Sequence, residues 1–375
     1  MILALAILPF LAWVYLLAFH GRFWRSSPVL PPVAAQADAA VAVVVPARDE
    51  AESIQAAVGS LLAQNYCGTL SIVLVDDNSS DGTGDLAAAL ASGGRLTIVK
   101  GEPLPAGWSG KLWAIHQGLS HPLARAADYV LLTDADIVHA PGHIAALVAQ
   151  AEAGGYELVS EMVRLHCATA AERALIPAFV FFFQMLYPFA WVNDATKRTA
   201  GAAGGTMLVA RAALDRIDGV SRIRDNLIDD CALAKQIKHS GGRIWLGHAE
   251  GTVSTRVYRN WPEVWNMIAR TAYVQLGYSP LLLLGCIAGM SLVFCAAPLV
   301  TMFAHGVPRV VGAVAWLMSA TAFQPTLRRY RRSPFWGLAL PAIALFYLGA
   351  TIASAARHYT GRGGGWKERV YPAAR

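Results

Sequence analysis

Hydrophobicity in this chain is gathered at its two ends, and that limits what it can fold into. Met1 to Phe19 is almost wholly apolar, as are Pro280 to Phe303, roughly Val307 to Phe323, and Phe335 to Ala355. A bilayer crossing takes about 20 residues, a length each block approaches, the third being short. Between the first and second blocks lie about 260 residues of ordinary soluble composition. This is the pattern of an enzyme-sized domain held to a membrane, and it excludes a polytopic transporter.

The blocks divide the chain into an N-terminal transmembrane anchor (1–25), a Pro/Ala-rich linker (26–40), a soluble domain (41–275), C-terminal membrane segments (276–356) and a basic tail (357–375). No cation precedes the first block, whereas His20, Arg22 and Arg25 follow it, which argues against a cleaved signal peptide. The small residues from Ala34 to Ala40 keep cleavage open as an alternative. By the positive-inside rule the soluble domain faces the cytoplasm, and so does Arg328-Arg329-Tyr330-Arg331-Arg332. The second and third blocks, out and back, satisfy that rule. A full crossing by the fourth would export Arg357, Arg362, Lys367 and Arg369. With Pro341 early in it, a broken or re-entrant hairpin is the other option, and the topology stays open. The expected location is the inner (cytoplasmic) membrane, with several passes.

The five cysteines are scattered, with neither metal spacing nor a disulfide framework, as in a reducing compartment. The net charge of +6 sits largely at the membrane flanks. It points to anionic lipid headgroups rather than nucleic acid, for which no motif is present.

The soluble stretch alternates. Val41 to Val45 reads as a buried strand ended by Pro46, and Asp49 to Ser53 as the acidic first turn of a helix to about Gln64. Leu70 to Val75 and Leu96 to Lys100 read as strands, Gly84 to Leu90 and Lys111 to Leu119 as helices. Tyr129 to Thr133 is a further strand, closed by Asp134-Ala135-Asp136, whose two carboxylates alternation would point the same way. Strand and helix in turn predict an α/β fold with a mostly parallel, Rossmann-like sheet. Beyond it, Val159 to His166 and Gly204 to Ala210 read as strands, and Asp229-Asp230 opens a helix through Lys238. Leu175 to Trp191 is strongly apolar but carries Pro177 and Pro188. It is expected to lie in the membrane interface, a buried core helix being the alternative.

Four successive strand-to-helix connections carry charged or polar groups: Pro46-Ala47-Arg48-Asp49-Glu50, Asp76-Asp77 with Asp81, Trp108-Ser109-Gly110-Lys111, and Asp134 with Asp136. Singly, each reads as an ordinary cap or turn. In a parallel sheet, however, these connections share one edge, the edge where α/β sheets bind ligands. Hard cations and phosphates call for this mixture of carboxylate and ammonium.

Together the runs Val-Val-Val-Pro-Ala-Arg-Asp-Glu, Val-Asp-Asp-Asn-Ser-Ser-Asp-Gly-Thr, Gly-Lys and Asp-Ala-Asp resemble the family 2 (GT-A) inverting glycosyltransferases. Gly204-Gly205-Thr206-Met207-Leu208-Val209-Ala210-Arg211 and Asp229-Asp230-Cys231-Ala232-Leu233-Ala234 are similar to that family's acceptor half. The resemblance covers about residues 40 to 260. Within the family, Gly107 to Ala114, the Asp-Asp-Cys-Ala-Leu-Ala segment and the Arg-rich turn look closest to the hopene-associated glycosyltransferases.

The resemblance implies a nucleotide-sugar donor, a lipid acceptor at a membrane, and Mg²⁺ or Mn²⁺. It implies that Pro46, Arg48 and Glu50 hold the nucleoside, that Asp77 accepts from a uracil imide, and that Lys111 meets the diphosphate. Asp134 would face ribose and sugar and share the metal with Asp136, its principal ligand. Of the pair Asp229-Asp230, the second corresponds to the base that deprotonates the acceptor hydroxyl. The family commonly has Glu at the first position, where this chain has Asp229. Processive members carry Gln-x-x-Arg-Trp; Arg256-Val257-Tyr258-Arg259-Asn260-Trp261 lacks the Gln and adds a residue, which argues for a single transfer. Arg256 or Arg259 is left to stabilise the departing diphosphate, a surface or lipid-facing position being the alternative. The acceptor implied is a hopanoid-type lipid; polyprenyl phosphate and ceramide-like lipids are the enzymatic rivals. A nucleotidyltransferase would leave Asp229-Asp230 without a role. A non-catalytic scaffold with a degenerate fold would show lost carboxylates, and none is lost.

Overall fold

β1 (Val41–Ala47) is buried at every position, which is why its sequence is continuously apolar. It pairs in parallel with β2 (Leu70–Asp76) through Ala47. Its pairing with β4 (Tyr129–Thr133) stops at Val44, short of Pro46, which has no N–H to give. The sheet has eight strands in the order β3-β2-β1-β4-β7-β6-β8-β5, where β3 is Leu96–Lys100, β5 Ile137–Val138, β6 Leu158–Arg164, β7 Thr206–Ala210 and β8 Ile244–Ser254. Strands β3, β2, β1 and β4 are parallel; β7 runs against β4 and β6, and β8 is parallel to β6. This computed structural model describes residues 2–31 and 38–361, and the backbone of 365–366 and 369–370. Residues 32–37 of the linker, and Arg362, Lys367 and the Arg369 side chain of the tail, lie outside the described residues.

Helices α2 (Ile54–Leu62), α3 (Thr83–Ala88), α4 (Gly110–Ser120) and α5 (His143–Gly154) follow the first four strands and cover the sheet. α2 starts later than its acidic leader predicts. The N–H groups of Asp49, Glu50 and Ala51 donate to Ser79 Oγ, Thr83 Oγ1 and Asp81 Oδ2, at 3.1, 2.8 and 2.9 Å. Asp49 itself has a φ of 49°, outside the helical region. The acidic run is therefore bonded to the next connection, and the two loops form one rigid edge.

α6 (Ala170–Leu186) covers most of the segment expected to lie in the membrane interface. It runs unbroken through Pro177, and Leu175, Ile176, Ala178, Val180, Phe181 and Phe182 are all buried. The helix is wedged between the sheet and the terminal helices. Its start is set by Thr169 and Glu172, which cap each other's backbone.

Among the described residues, four helices are long and apolar enough to cross a membrane: 170–192, 280–303, α10 (Val307–Arg329) and α11 (Leu340–Tyr359). The 280–303 helix begins as α9 (Pro280–Met290) and continues through a π-helical turn at Ser291–Ala296. α1 (Ile2–Ala18), shorter at 17 residues, packs on α10, and Trp13 Nε1 donates to Val293 O at 2.8 Å. Leu281, Leu284, Met302, Phe303, Val307 and Val310 are all more than half exposed, an apolar surface that water would not favour.

After α10 the chain folds back along it. Gln324 Nε2 donates to Pro334 O and Trp316 Nε1 to Leu338 O, at 3.1 and 3.2 Å. α11 then runs beside α8 (Trp261–Gln275) in the same direction, with Phe346 against Trp265 and Tyr359 Oη 2.9 Å from Tyr273 Oη. His358 stacks on Tyr278 at 4.4 Å. Through Gln275, whose amide meets Tyr187 Oη, that end of α8 is bound to the soluble domain.

Candidate functional site

The four equipped connections lie along one sheet edge, joined by α7 (Asp229–His239) from the other half of the domain. Ser109 caps α4 by accepting from Leu112 N, and its own N–H donates to Arg224 O at 2.7 Å. This places Lys111 in the first turn of α4, aimed across the cleft. Lys111 Nζ stands 2.8 Å from Asp134 Oδ1 and 3.1 Å from Asp229 Oδ2, its side chain 20% exposed. Burial works against its charge, but Asp134 and then Asp229 more than offset this, and its pKa is raised.

Asp230 is held by two backbone amides, Gly204 N to Oδ2 at 2.8 Å and Cys231 N to Oδ1 at 2.7 Å. A Cβ on Gly204 would sit 3.3 Å from that same Oδ2, so glycine permits the close approach. Burial, followed by the charge of Asp229, pushes Asp230 up to about 6. A carboxylate in that range is ionised at neutral pH yet basic enough to take a proton.

Asp134-Ala135-Asp136 is a turn, not the end of an extended strand: Ile137 N returns to Asp134 O at 3.3 Å. Alternation therefore does not apply. Asp134 turns to Lys111, whereas Asp136 Oδ2 accepts from Ser254 Oγ at 3.0 Å and faces Arg256 Nε at 3.4 Å. Arg256 also meets Glu50 Oε1 at 3.1 Å, so it ties the first connection to the fourth. Its place is fixed by Glu172, fully buried, which accepts from Tyr258 N at 2.6 Å. Arg259 lies outside this group and pairs at 3.6 Å with Glu52, both strongly exposed.

Asp77 is fully buried, and Arg48 Nη1 donates to its carbonyl at 2.5 Å and lies 3.7 Å from its carboxylate. Pro46 stands in β1 opposite Val75. The structure thus gathers Glu50, Asp136 and Arg256 in one group and Lys111, Asp134, Asp229 and Asp230 in another, with Pro46, Arg48 and Asp77 at the adjoining strand ends. Among the described residues no three His, Cys, Asp or Glu side chains form a metal cage. Asp136 and Asp134 are the carboxylates at this edge that an ion shared with a diphosphate would draw on, and each is now paired with a cation, Arg256 and Lys111.

The partners that hold these side chains could not be read from spacing, although Gly204 stood in the acceptor-half motif. Gly204 holds Asp230, Ser254 holds Asp136, and Glu172 holds the Arg256 segment, each across more than 20 residues of chain. Only the capping-box spacing Thr169-x-x-Glu172 could have drawn attention to one of them, and then as a helix start.

Residues 42–217 match the family profile of glycosyl transferase family 2. The match spans the four connections and ends before Asp229 and Asp230. The fold is GT-A, a Rossmann-like mixed sheet with helices. It resembles the mannosyltransferase PcManGT from Pyrobaculum calidifontis, solved in complex with GDP-Man and Mn²⁺, with a TM-score of 0.57 at 19% identity, over 98% of this chain and 100% of that one. A weaker likeness is to glucosyl-3-phosphoglycerate synthase from Mycobacterium tuberculosis (TM-score 0.41, 16% identity, 64% of this chain and 79% of that one). No curated protein matches the sequence. The profile match and the structural likeness agree on the GT-A fold, and the apolar helices suggest membrane association.

Proposed function

We propose that this protein is a membrane-bound inverting glycosyltransferase that moves a sugar from a UDP-sugar to the hydroxyl of a lipid, with a hopanoid-type triterpenoid as the acceptor. The observation that carries the reading is Lys111 between Asp134 and Asp229, which brings the donor-side turn and the acceptor-side pair to one cleft. Asp230 takes the proton of the acceptor hydroxyl as its oxygen attacks the anomeric carbon. The bond from that carbon to the diphosphate breaks on the opposite face, and the electron pair leaves with the nucleotide. Lys111 and Arg256 lie beside the carboxylates and meet the departing charge. Pro46, Arg48, Glu50 and Asp77 are assigned to the nucleoside. A Mg²⁺ or Mn²⁺ ion would be held by Asp136 and Asp134, neutralising phosphate charge.

The test compares lipid extracts of cells with and without the gene by mass spectrometry. A lipid one sugar heavier, lost on deletion and not restored by Asp136→Ala, is expected; unchanged lipids sink the reading. Stripping metal with EDTA is expected to abolish UDP release in vitro, with recovery on adding Mn²⁺ or Mg²⁺. Arg256→Ala is expected to lower kcat by about 10²-fold, whereas Arg259→Ala stays within about twofold, since its exposed ion pair is worth little.

One observation favours a second acceptor, a lipid phosphate. Tyr330 Oη accepts from Leu165 N at 3.3 Å, docking the Arg-rich turn on the chain leaving β6. Arg164, Arg173 and Arg332 gather around Cys167 there, with no ion-pair partner among the described residues. Product mass, hexosyl-lipid against hexosyl-phospholipid, separates the two.

The path of α11 bears on the tail. Its end returns to α8 and the soluble domain, which supports a tail on the catalytic side, cytoplasmic by the positive-inside rule. A C-terminal green fluorescent protein fusion is expected to fluoresce and an alkaline phosphatase fusion to be inactive; the reverse would mean a full crossing.

A further inference from the structure

A chain of buried polar groups lies behind the Asp134 turn. Thr133 Oγ1 donates to Gly205 O at 2.8 Å and lies 3.0 Å from His139 Nε2. His139 Nδ1 is 2.9 Å from His143 Nδ1, and His143 Nε2 meets Glu161 Oε2. All four side chains are buried, with Glu161 at 0% exposure and the others at 6% or less.

Donor counting fixes the direction of this chain. The single proton of Thr133 goes to Gly205, so His139 must donate from Nε2. Burial, followed by the neighbouring His143, pushes the His139 pKa well below its ordinary value, so its ring is neutral and Nδ1 is an acceptor. His143 therefore donates from Nδ1, and one further proton is shared between its Nε2 and Glu161. The direction is set from the Glu161–His143 pair outward, through His139 and Thr133, to a backbone carbonyl. A serine or water in place of His139 could rotate; an imidazole with one proton cannot.

The far end of the chain is what matters. Gly205 follows Gly204, whose N–H holds Asp230, and Thr133 precedes Asp134. We propose that His139 is a positioning residue: by forcing the Thr133 hydroxyl toward Gly205 O it locks the Gly204 amide onto Asp230 and sets the acceptor-side carboxylate relative to the donor-side turn. The functional meaning rests on Asp230 being the base, whereas the physical claim concerns only how Asp230 is held.

The test is an infrared pH titration of the purified full chain in detergent, following the carboxyl band that Asp230→Asn removes. A hydrogen bond from Gly204 favours the carboxylate. Thr133→Val and His139→Ala are each expected to raise the midpoint of that band by about half a pH unit or more. Thr133→Ser, which keeps the hydroxyl, and His139→Gln, which keeps a donor, are expected to restore it. Unfolding would erase the band's cooperativity in all variants, and the conservative pair controls for it. An unchanged midpoint in Thr133→Val overturns the proposal. UDP release from UDP-glucose and UDP-N-acetylglucosamine is measured on the same variants. A shifted midpoint together with full activity in Asp230→Asn would retain the lock and reject Asp230 as base.

Discussion

Asp230→Asn is expected to lower sugar transfer by about 10³-fold, the scale of losing a general base. Asn keeps the size and one acceptor for the backbone amides of Gly204 and Cys231, but it cannot take a proton. The wild-type rate should also carry a signature of Asp230. Its pKa is raised to about 6 by burial and by Asp229, and only the ionised form is a base. Activity is therefore present above that value and lost as pH falls through it. In a kcat/KM–pH profile, which reports the free enzyme, the acid limb should lie near 6 in wild type and be absent from the residual rate of Asp230→Asn. A variant that keeps both the rate and the limb would remove Asp230 from the chemistry.

Lys111→Met is expected to have the second largest effect, on binding and stability together. It leaves Asp134 and Asp229 facing each other across the gap that Lys111 Nζ now fills at 2.8 and 3.1 Å. Losing one partner of a buried pair costs about 3–5 kcal/mol. Asp134 is 35% exposed, so water and counter-ions screen part of that, and about 2 kcal/mol is the better expectation. At roughly 1–2 °C per kcal/mol for a chain of this size, thermal unfolding should fall by about 3 °C. Transfer should fall by at least about 10²-fold, since an ammonium beside the diphosphate is lost. Lys111→Arg is not a rescue, because a planar guanidinium does not fit between two carboxylates placed for a point charge. An unfolding midpoint unchanged in Lys111→Met would show that the carboxylates are held apart by other means.

These residues also show how much the chain discloses before it folds. The strands were legible because burial on both faces demands unbroken runs such as Val41 to Val45, and a parallel sheet brings successive strand ends to one edge. Arg48, Asp77, Lys111 and Asp134 could be singled out for the same reason, and Asp230 through the resemblance. The length and apolarity of the terminal helices were readable too, because a bilayer sets the number of residues needed.

What those residues touch was not readable. The resemblance implied a diphosphate partner for Lys111, and folding set it between two carboxylates contributed by different halves of the domain. Alternation aimed Asp134 and Asp136 together, and a turn aimed them at different cations. The interfacial reading of the Leu175 to Trp191 segment leaned on its prolines; Pro177 lies inside α6 and Pro188 just past its end, and packing on both sides buries much of the helix. The aromatic contacts between α11 and α8 likewise had no counterpart in the charge pattern of the sequence. The Glu161–His143–His139–Thr133 chain carried no local signal, because donor and acceptor geometry exists only after four separate elements have packed. Local pattern and burial determined the elements and the edge that bears the chemistry. The partners of each charge were decided by tertiary structure, because an ion pair depends on distance in space and not on distance along the chain.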